Sequence, residues 1–367
     1  MKKSIGMAAL WAAIAIAIAI LALPSLAAPS SGSVPGPIIV VNTWPFVNAT
    51  AKAWSVLTGT GQGNKDDAVT AVVEGVSICE NLQCDHTVGF GGSPDELAGV
   101  TLDALVMDGD TLDAGAAVAL HSTRHAARAA RLVMETTNHT MLAGKDADAF
   151  AASMGMPQSS LRTAWSESAW EDWKRADCQP NYRRNVSPDP RVSCGPYRPR
   201  GDTIRGSRSA ATSPLGTYGR DNHDTIAMVA RDATGSMAAA TSTNGATHKV
   251  PGRLADSGVV GSGAYVDTEV GGCGATGDGD TMMRFVPCYQ VVESMRRGMG
   301  PKEAAEEALS RIRSRHPTFQ GALLALSKAG EVGAATNCMD FRYSVASGEH
   351  DGDVRVVEVP ASVPCPQ

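Results

Sequence analysis

Thr225 is the residue whose place in the sequence best fits nucleophilic chemistry. It lies in the run HDTI at 223–226, where a long irregular segment gives way to a predicted strand. If the bond before Thr225 is cut, the residue gains a free α-amino group beside its own hydroxyl. An α-amine has an unperturbed pKa of about 7.7–8.0, so its neutral form can accept the hydroxyl proton. The run therefore predicts a threonine that is both nucleophile and base, whereas in an uncut chain it is an ordinary strand residue.

Other patterns that could carry chemistry are weaker. His121 and His125 have the helical spacing of a zinc pair, but the glutamate of a zinc protease is missing and a solvated helix face explains them. The glycine-rich run 271–277 is similar to a phosphate-binding turn, yet no strand-then-helix nucleotide unit surrounds it. Asp108-Gly109-Asp110 with Asp113 lacks the remaining ligands of a calcium loop. We therefore expect no metal and no cofactor.

The elements that must position Thr225 are predicted from periodicity and turn residues. Residues 225–231 and 236–242 form a hairpin pattern around the turn 232–235, and 37–42 is a buried first strand that Thr43-Trp44-Pro45 ends. The run 244–280 is glycine-rich with intervening polar residues. We expect helices at 49–57, 66–79, 126–134, 147–154, 160–173, 282–299 and 301–315, and further strands at 102–107, 321–327, 333–337 and 354–359. Strands and helices in two groups each indicate a layered α/β sandwich.

The chain changes character at Cys178. From there to 222 it is rich in Pro, Arg, Gly and Ser with little apolar periodicity, and so long an irregular segment is either functional or disordered. We interpret it as a solvated, protease-accessible surface loop. Its many arginines would also suit a nucleic-acid patch, but the net charge of −6 and the signs of export below argue against that interpretation.

The N-terminus predicts export. Lys2 and Lys3 precede the apolar run 7–23, and Ser25-Leu26-Ala27 has the small residues of a signal-peptidase site, so we expect a signal peptide over 1–27. The alternative is an uncleaved anchor, because the apolar run is nearly long enough to span a bilayer. This is the only long apolar run among the 367 residues, which excludes a channel or transporter. Apolar residues at 43% and charged residues at 19% are typical of a globular protein.

The eight cysteines of an exported chain are expected to be paired. Counting does not determine the connectivity, but proximity along the chain favours four short loops. A zinc site would need Cys-x-x-Cys or His pairs that the sequence lacks. The expected disulfides are Cys79–Cys84, Cys178–Cys194, Cys273–Cys288 and Cys338–Cys365.

Eight short motifs, together with their order, give the chain a resemblance to a known family. In the first half they are VNTWPF at 41–46, GGSPDE at 91–96, MDG at 107–109 and CQPNY at 178–182. In the second half they are HDTI at 223–226, TSTNG at 241–245, GRLADS at 252–257 and GATGDGD at 274–280. The set resembles the glycosylasparaginases, which are N-terminal-nucleophile hydrolases, over nearly the whole chain from about residue 38.

The resemblance implies a fold and a processing event. The fold is a four-layer αββα sandwich in a single domain, and the precursor cuts itself between Asp224 and Thr225. The Thr225 hydroxyl attacks the Asp224 carbonyl, and water resolves the resulting ester. Removal of the signal then leaves an α chain of residues 28–224, with 178–224 as the irregular processing loop, and a β chain of residues 225–367. The family also implies a homodimer of such two-chain units.

The resemblance also implies the reaction and its catalytic residues. The family cleaves the amide that joins a sugar to an asparagine side chain, in glycoprotein degradation and through an aspartyl ester on the terminal threonine. By this likeness Thr225 attacks the amide carbonyl, and Thr243 hydrogen-bonds the Thr225 hydroxyl and tunes it. The Thr276 hydroxyl and the Gly277 N–H form the oxyanion hole, in which one donor is typically worth about 2.7–4 kcal/mol.

Substrate binding is implied for three further residues. Arg253 clamps the α-carboxylate of the substrate, Asp256 holds its α-ammonium, and Trp44 walls the pocket. Taken singly, each implied site residue has a plainer interpretation: a strand residue for Thr243, a surface ion pair for Arg253 and Asp256, a plain turn for 276–277, and core packing for Trp44. The partner expected is a small glycosyl-asparagine, with no nucleic acid and no membrane once the signal is removed.

Two departures from the family and several alternatives stay open. Ala227 stands where the family commonly has glycine, a small change whose methyl group could crowd the cleavage turn. Not every member has a cysteine pair like Cys273–Cys288, which we expect to stiffen the loop that carries Thr276. The alternatives are a plant-type asparaginase or isoaspartyl peptidase, and a secreted binding protein without catalysis. The exported chain would reach a lysosome, the extracellular space or, in a bacterium, the periplasm.

Overall fold

The computed structural model describes residues 36–60, 67–200, 225–361, 363 and 365–366. The predicted signal peptide at 1–27, residues 201–224 of the predicted processing loop, and thus Asp224, lie outside the described residues. Within the described ranges, no helix is at once long enough and apolar enough to span a bilayer.

Fourteen strands and eight α-helices make up the described part of the chain. The strands are β1 (Ile39–Thr43), β2 (Leu102–Asp108), β3 (Ala114–Leu120), β4 (Met141–Ala143), β5 (Val186–Ser187), β6 (Arg198–Pro199), β7 (Ile226–Arg231), β8 (Met237–Thr243), β9 (Ala264–Asp267), β10 (Gly271–Gly277), β11 (Gly321–Ser327), β12 (Val332–Asn337), β13 (Phe341–Ser347) and β14 (Arg355–Val359). The helices are α1 (Val47–Leu57), α2 (Ala68–Leu82), α3 (Ala126–Thr136), α4 (Gly144–Ser153), α5 (Ala164–Arg175), α6 (Gly279–Phe285), α7 (Pro287–Arg296) and α8 (Pro301–Arg313).

The larger sheet carries the predicted nucleophile at one end of a central strand. Its spatial order is β14-β13-β1-β7-β8-β2-β3-β4, and every pair is antiparallel except β3 with β4. Strands β1 and β2, from before Thr225, flank the hairpin β7–β8, which follows it. The two halves of the chain are therefore interleaved within one sheet.

The smaller sheet has the order β12-β11-β10-β9 and packs against the larger one, with β10 in contact with β7 and β8. Helices α1, α2 and α3 contact strands of the larger sheet, while α7 and α8 contact strands of the smaller sheet. The strands β7, β8 and β10 are buried along their whole length, as expected of strands covered on both faces. The Thr225 end of the hairpin thus lies in a rigid interior.

The expected helix boundaries depend on local capping. The Asp67 side chain accepts the Val69 N–H at 2.9 Å and begins α2, while Pro287 and Pro301 occupy the first turns of α7 and α8. The single helix expected at 282–299 is wrong, because Val286 adopts a left-handed conformation (φ 51°) and separates α6 from α7. Proline at the next position then begins a new helix rather than continuing the old one.

Two strands that the sequence pattern does not predict, β9 and β10, lie within the glycine-rich run 244–280. Strand β10 is rich in glycine because the sheets approach closely there. A Cβ at Gly272 would lie 2.6 Å from Val229 Cγ1, and a Cβ at Gly274 would lie 2.7 Å from Ala227 Cβ. The segment that carries Thr276 is therefore a central strand, neither a phosphate-binding turn nor a loop. Strands β3 and β13 were also not expected.

All eight cysteines are paired, in the four combinations that proximity predicts. Cys273–Cys288 joins β10 to α7, so it ties the strand that carries Thr276 to the helix packed on it. Each disulfide lies wholly before or wholly after Thr225. No covalent link other than the backbone therefore joins the two halves of the chain.

Candidate active site

Thr225 and Thr243 are neighbours across the β7–β8 hairpin. Ile226 pairs with Ser242 in an antiparallel register, so the next residues outward are Thr225 and Thr243. The two threonines are 1% and 0% exposed. The Thr225 Oγ1 is buried and has no hydrogen-bond partner in the described part of the chain. A buried hydroxyl without a hydrogen-bond partner lowers the stability of the fold, and a catalytic role is one explanation for such a group.

The predicted hydrogen bond from Thr243 to the Thr225 hydroxyl is absent. The Thr243 Oγ1 instead donates to the Thr87 carbonyl at 3.4 Å and accepts the Gly245 N–H at 2.9 Å. The Thr87 carbonyl also accepts the Asn244 N–H at 2.7 Å. In the continuous chain, backbone groups of neighbouring loops thus satisfy the Thr243 hydroxyl, which leaves the Thr225 oxygen unpartnered.

Thr43 holds the backbone at the nucleophile, a role that sequence reasoning missed. Its Oγ1 donates to the Thr225 carbonyl at 3.1 Å and accepts the Ala227 N–H at 2.9 Å. This hydroxyl comes from β1, on the other side of the predicted cleavage point. The only signal in the sequence is its place in the NTW run beside Trp44.

Trp44 lies next to Thr43 and connects the Thr225 end of the β7–β8 hairpin to the predicted oxyanion hole. Its Nε1 donates to the Thr276 Oγ1 at 3.0 Å, and its ring meets Phe341 edge to face at 5.5 Å. Trp44 has a φ of 67°, an unfavourable conformation for a bulky residue that the surroundings must enforce. Core packing alone does not describe Trp44, since its indole orients the Thr276 hydroxyl.

The segment after Thr276 requires glycine at two positions. Gly277 has a φ of 120°, and a Cβ there would lie 2.5 Å from Gly321 Cα. A Cβ at Gly279 would lie 2.4 Å from Asp256 Oδ1 and 3.3 Å from Arg253 Nη2. The chain therefore passes directly beside the two charged residues predicted to bind substrate, and the plain-turn interpretation of 276–277 is wrong.

Arg253 and Asp256 do not form the surface ion pair that their types alone suggest. The Arg253 Nη2 contacts Asp280 Oδ2 at 3.1 Å, while Asp256 is 1% exposed and its Oδ2 has no hydrogen-bond partner among the described residues. A Cβ at Gly245 would lie 2.7 Å from Arg253 Nη1, so the guanidinium also borders the loop that follows Thr243. One cation and one anion thus line the site separately.

Burial gives Asp256 an unusual acidity. It raises the pKa of Asp256 to about 7, against the lowering effect of the Arg253 charge, while Asp278 and Asp280 raise it further. A buried carboxyl with a free oxygen is poorly solvated, so a cationic ligand that replaces water stabilises its charged form. This is the environment expected of a residue that binds an ammonium group.

The methyl group of Ala227 does not crowd the turn at Thr225. It points to the smaller sheet, where the absence of a side chain at Gly274 leaves room for it. This departure from the family pattern is therefore accommodated by packing between the sheets.

These residues together can perform acyl transfer on an amino-acid side chain. A hydroxyl, an oriented second hydroxyl for a developing oxyanion, a guanidinium and a buried carboxyl lie around one set of loops. The guanidinium and the carboxyl match an α-carboxylate and an α-ammonium. Within the described ranges, no group of three His, Cys, Asp or Glu side chains could hold a metal ion.

Trp44→Phe is expected to lower kcat about tenfold with little change in KM, because the ring packing stays while the donor to Thr276 is lost. Steady-state rates measure both constants. Trp170→Phe is the matched control, because it removes an indole donor to the Glu96 carbonyl of the same length, 3.0 Å, without contacting Thr276. Equal losses in both variants would contradict the assigned role of Trp44.

Comparison with known proteins agrees with this geometry. The family model described as asparaginase matches residues 19–356. A protein of Arabidopsis thaliana named "Probable isoaspartyl peptidase/L-asparaginase 3" is 50% identical over 331 residues, 88% of this chain and 90% of that protein. A Mus musculus protein named "N(4)-(beta-N-acetylglucosaminyl)-L-asparaginase" is 46% identical over 324 residues, 87% of this chain and 91% of its own length.

Proposed function

We propose that this chain, which belongs to the asparaginase family of N-terminal-nucleophile hydrolases, cleaves the amide between an N-acetylglucosamine and the side chain of asparagine. The resemblance drawn from the eight motifs is confirmed at the level of the family, and the chain is an amidohydrolase of that family. The choice of a glycosylated substrate follows the name of the mouse relative and the motif set. The observation that carries the proposal is the buried Thr225 hydroxyl, which has no hydrogen-bond partner among the described residues.

The active enzyme is proposed to arise by cleavage between Asp224 and Thr225. The Thr225 hydroxyl attacks the Asp224 carbonyl, and water hydrolyses the ester to leave residues 28–224 and 225–367 as two chains of one four-layer αββα domain. Thr43 holds the Thr225 carbonyl and so steadies the residue through the reaction. The lack of a hydrogen bond at the Thr225 oxygen keeps it available as the attacking atom.

In the mature enzyme the freed amine of Thr225 takes the proton from its own hydroxyl. Burial of this amine favours its neutral form, which is the form that acts as a base. The oxygen attacks the side-chain carbonyl, whose developing charge is held by the Thr276 hydroxyl and the Gly277 N–H. The glycosylamine leaves with a proton from the Thr225 amine, and water then hydrolyses the aspartyl ester. Thr243, which faces Thr225 across the hairpin, is proposed to hydrogen-bond the end that cleavage frees.

Arg253 and Asp256 are proposed to recognise the free α-carboxylate and α-ammonium of the substrate. Such recognition restricts the enzyme to asparagine that has been released from its peptide. Export through the signal at 1–27, to a lysosome or the extracellular space, fits the four disulfides. We also propose that two of these two-chain units form a homodimer, as the family resemblance implies.

The nearest alternative is the activity in the name of the Arabidopsis relative, hydrolysis of asparagine or of isoaspartyl peptides. The purified enzyme should be assayed on glycosyl-asparagine, asparagine and a β-aspartyl dipeptide. We expect kcat/KM to be at least about tenfold higher on glycosyl-asparagine than on the other two. A higher value on asparagine or on the dipeptide would assign the alternative. Complete self-cleavage without turnover of any of them would indicate a binding protein.

A further inference from the structure

Glu80 joins the catalytic end of β8 to the beginning of α3. It lies on α2, is 1% exposed, and its Oε1 accepts the Ser242 hydroxyl at 2.8 Å and the Ala127 N–H at 2.9 Å. Ser242 is the cross-strand partner of Ile226, the residue after Thr225. A single carboxylate oxygen therefore links the Ser242 side chain, opposite Ile226, to the backbone at the beginning of α3.

The second oxygen of Glu80 has no hydrogen bond. The Oε2 is buried without a partner in the described part of the chain, and the His125 Nδ1, 3.9 Å away, is likewise unpartnered. The His125 side chain is 24% exposed and lines a cavity of about 380 Å³, together with Glu74 and Arg128. Solvent protons can thus reach His125, and through it a carboxyl that has a vacant oxygen facing it.

Three charged side chains shift the pKa of Glu80 or His125, namely Arg124, Arg128 and Glu74. Burial raises the pKa of Glu80 to about 7, and the Arg128 charge offsets this only in part. Burial and the charge of Arg128 lower the pKa of His125, as does the charge of Arg124, whereas Glu74 raises it. The remaining charged groups on the neighbouring elements are Lys52 on α1, Asp103 and Asp108 on β2, Asp85 and His86 after α2, Arg131 and Glu135 on α3, and Arg231 on β7.

Those remaining groups are engaged away from the pair or lie outside the core. Arg231 donates to the carbonyls of Pro37 and Asp232, Asp103 accepts the N–H groups of Ala119 and Ala255, and Arg131 contacts Asp67 and Glu135. Asp108 accepts the Asp110 N–H, the His86 ring stacks on Trp165, and Lys52 and Asp85 are partly or fully exposed. The pKa of Glu80 therefore depends mainly on its burial, which raises it, and on the hydrogen bonds from Ala127 and Ser242 and the Arg128 charge, which lower it.

We propose that Glu80 is a pH-sensitive positioning residue for the reaction at Thr225, an inference that rests on the proposed nucleophile. The anionic carboxylate holds the Ser242 hydroxyl and the α3 N-terminus through charge-assisted hydrogen bonds. A proton that arrives through His125 binds the vacant Oε2, and the neutral acid accepts both bonds more weakly. The hairpin opposite Thr225 is then held less firmly, and kcat falls.

A purely structural role predicts a different result. If Glu80 only caps α3, its replacement changes stability and leaves the pH dependence of turnover unchanged in shape. If Glu80 positions the hairpin, the ratio of wild-type to variant kcat must itself change with pH near 7. Taking a ratio removes the contributions of groups common to both proteins, such as the Thr225 amine and Asp256.

The test compares kcat from pH 5.5 to 8.5 in wild type, Glu80→Gln, Ser242→Ala and the control Glu303→Gln, on whichever amide the wild type hydrolyses. For Glu80→Gln, which mimics the protonated form, we expect a ratio near one at pH 5.5 and about tenfold at pH 8.5. Ser242→Ala should give the same trend and still decides the question if Glu80→Gln does not fold. Glu303→Gln removes an equal charge from an exposed site on α8, a helix that packs on the smaller sheet, and should give a ratio near one throughout.

A second measurement does not depend on activity. The unfolding midpoint of Glu80→Gln relative to wild type should rise between pH 5 and pH 8.5, because the buried carboxyl must ionise only in wild type. Ratios that do not vary with pH for Glu80→Gln and Ser242→Ala would overturn the inference. Turnover that survives in Thr225→Ala would instead reject the proposed nucleophile, so the two failures are distinguishable.

Discussion

Thr225→Ala is expected to yield a single uncut chain that hydrolyses no substrate, with kcat lower by about 10⁴-fold or more. The substitution removes both the hydroxyl that attacks the Asp224 carbonyl and the hydroxyl that attacks the substrate amide. The variant should fold, because that oxygen makes no hydrogen bond in the described structure. Reducing electrophoresis, N-terminal sequencing of the smaller wild-type band and steady-state rates measure the three effects.

Two further variants serve as controls for Thr225→Ala. Thr225→Ser keeps a hydroxyl at the same position and should still cut itself and turn over, at a reduced rate. Thr234→Ala removes a hydroxyl from the exposed turn between β7 and β8 and should behave as wild type. A wild-type β chain that begins at any other residue than Thr225, or an uncut wild-type chain with full activity, would contradict the mechanism.

Asp256→Asn is expected to raise KM about 100-fold or more while it stabilises the protein at alkaline pH. The neutral amide no longer attracts the substrate ammonium, so binding weakens. The folded-state pKa of about 7 exceeds the ordinary value of 3.8, so the contribution of Asp256 to stability is highest below pH 3.8 and is lost as the pH rises through 7. The variant avoids that loss and should be more stable by about 1–3 kcal/mol at pH 8.5.

Thermal unfolding of Asp256→Asn and wild type at pH 5 and pH 8.5 measures the second effect. The difference in midpoint should favour the variant at pH 8.5 and be smaller at pH 5. Asp113→Asn is the control for stability, since it removes the same kind of charge from the exposed turn between β2 and β3. An Asp256→Asn protein less stable than wild type at both pH values would show that the carboxyl is an ordinary structural anion.

The elements with regular periodicity could be predicted from the sequence, and those shaped by contacts between sheets could not. The β7–β8 hairpin has alternating residues and a turn that ends in glycine, and β11 has an uninterrupted apolar run, so both were expected within one residue. Strand β10 has no such pattern. Its glycines at 272 and 274 leave room for the side chains of Val229 and Ala227 on the other sheet. A contact between distant segments of this kind cannot be read from the neighbouring sequence.

The candidate site shows the same division. Thr225, Thr276, Arg253 and Asp256 were identifiable because their chemical types matter and their motifs are distinctive. Thr43 and the Thr87 carbonyl were not, since one is a common strand residue and the other is a backbone atom of the kind every residue has. Nor could the sequence show that Asp256 is buried while Arg253 contacts Asp280. Residues 253 and 256 are only three positions apart, which suggests a simple surface ion pair.

The interleaved order of the larger sheet has a consequence if the chain is cut before Thr225 as proposed. Strand β1 lies between β13 and β7, and β2 lies beside β8, so each fragment supplies the edges on which the other assembles. Detergent alone, without any thiol reagent, should then release two polypeptides, because all four cystines are internal to one fragment or the other. In native buffer the pair should co-purify and melt in a single transition. Fragments that are expressed separately should not assemble into the folded enzyme. Assembly would then require that the two parts fold together while they are still one chain.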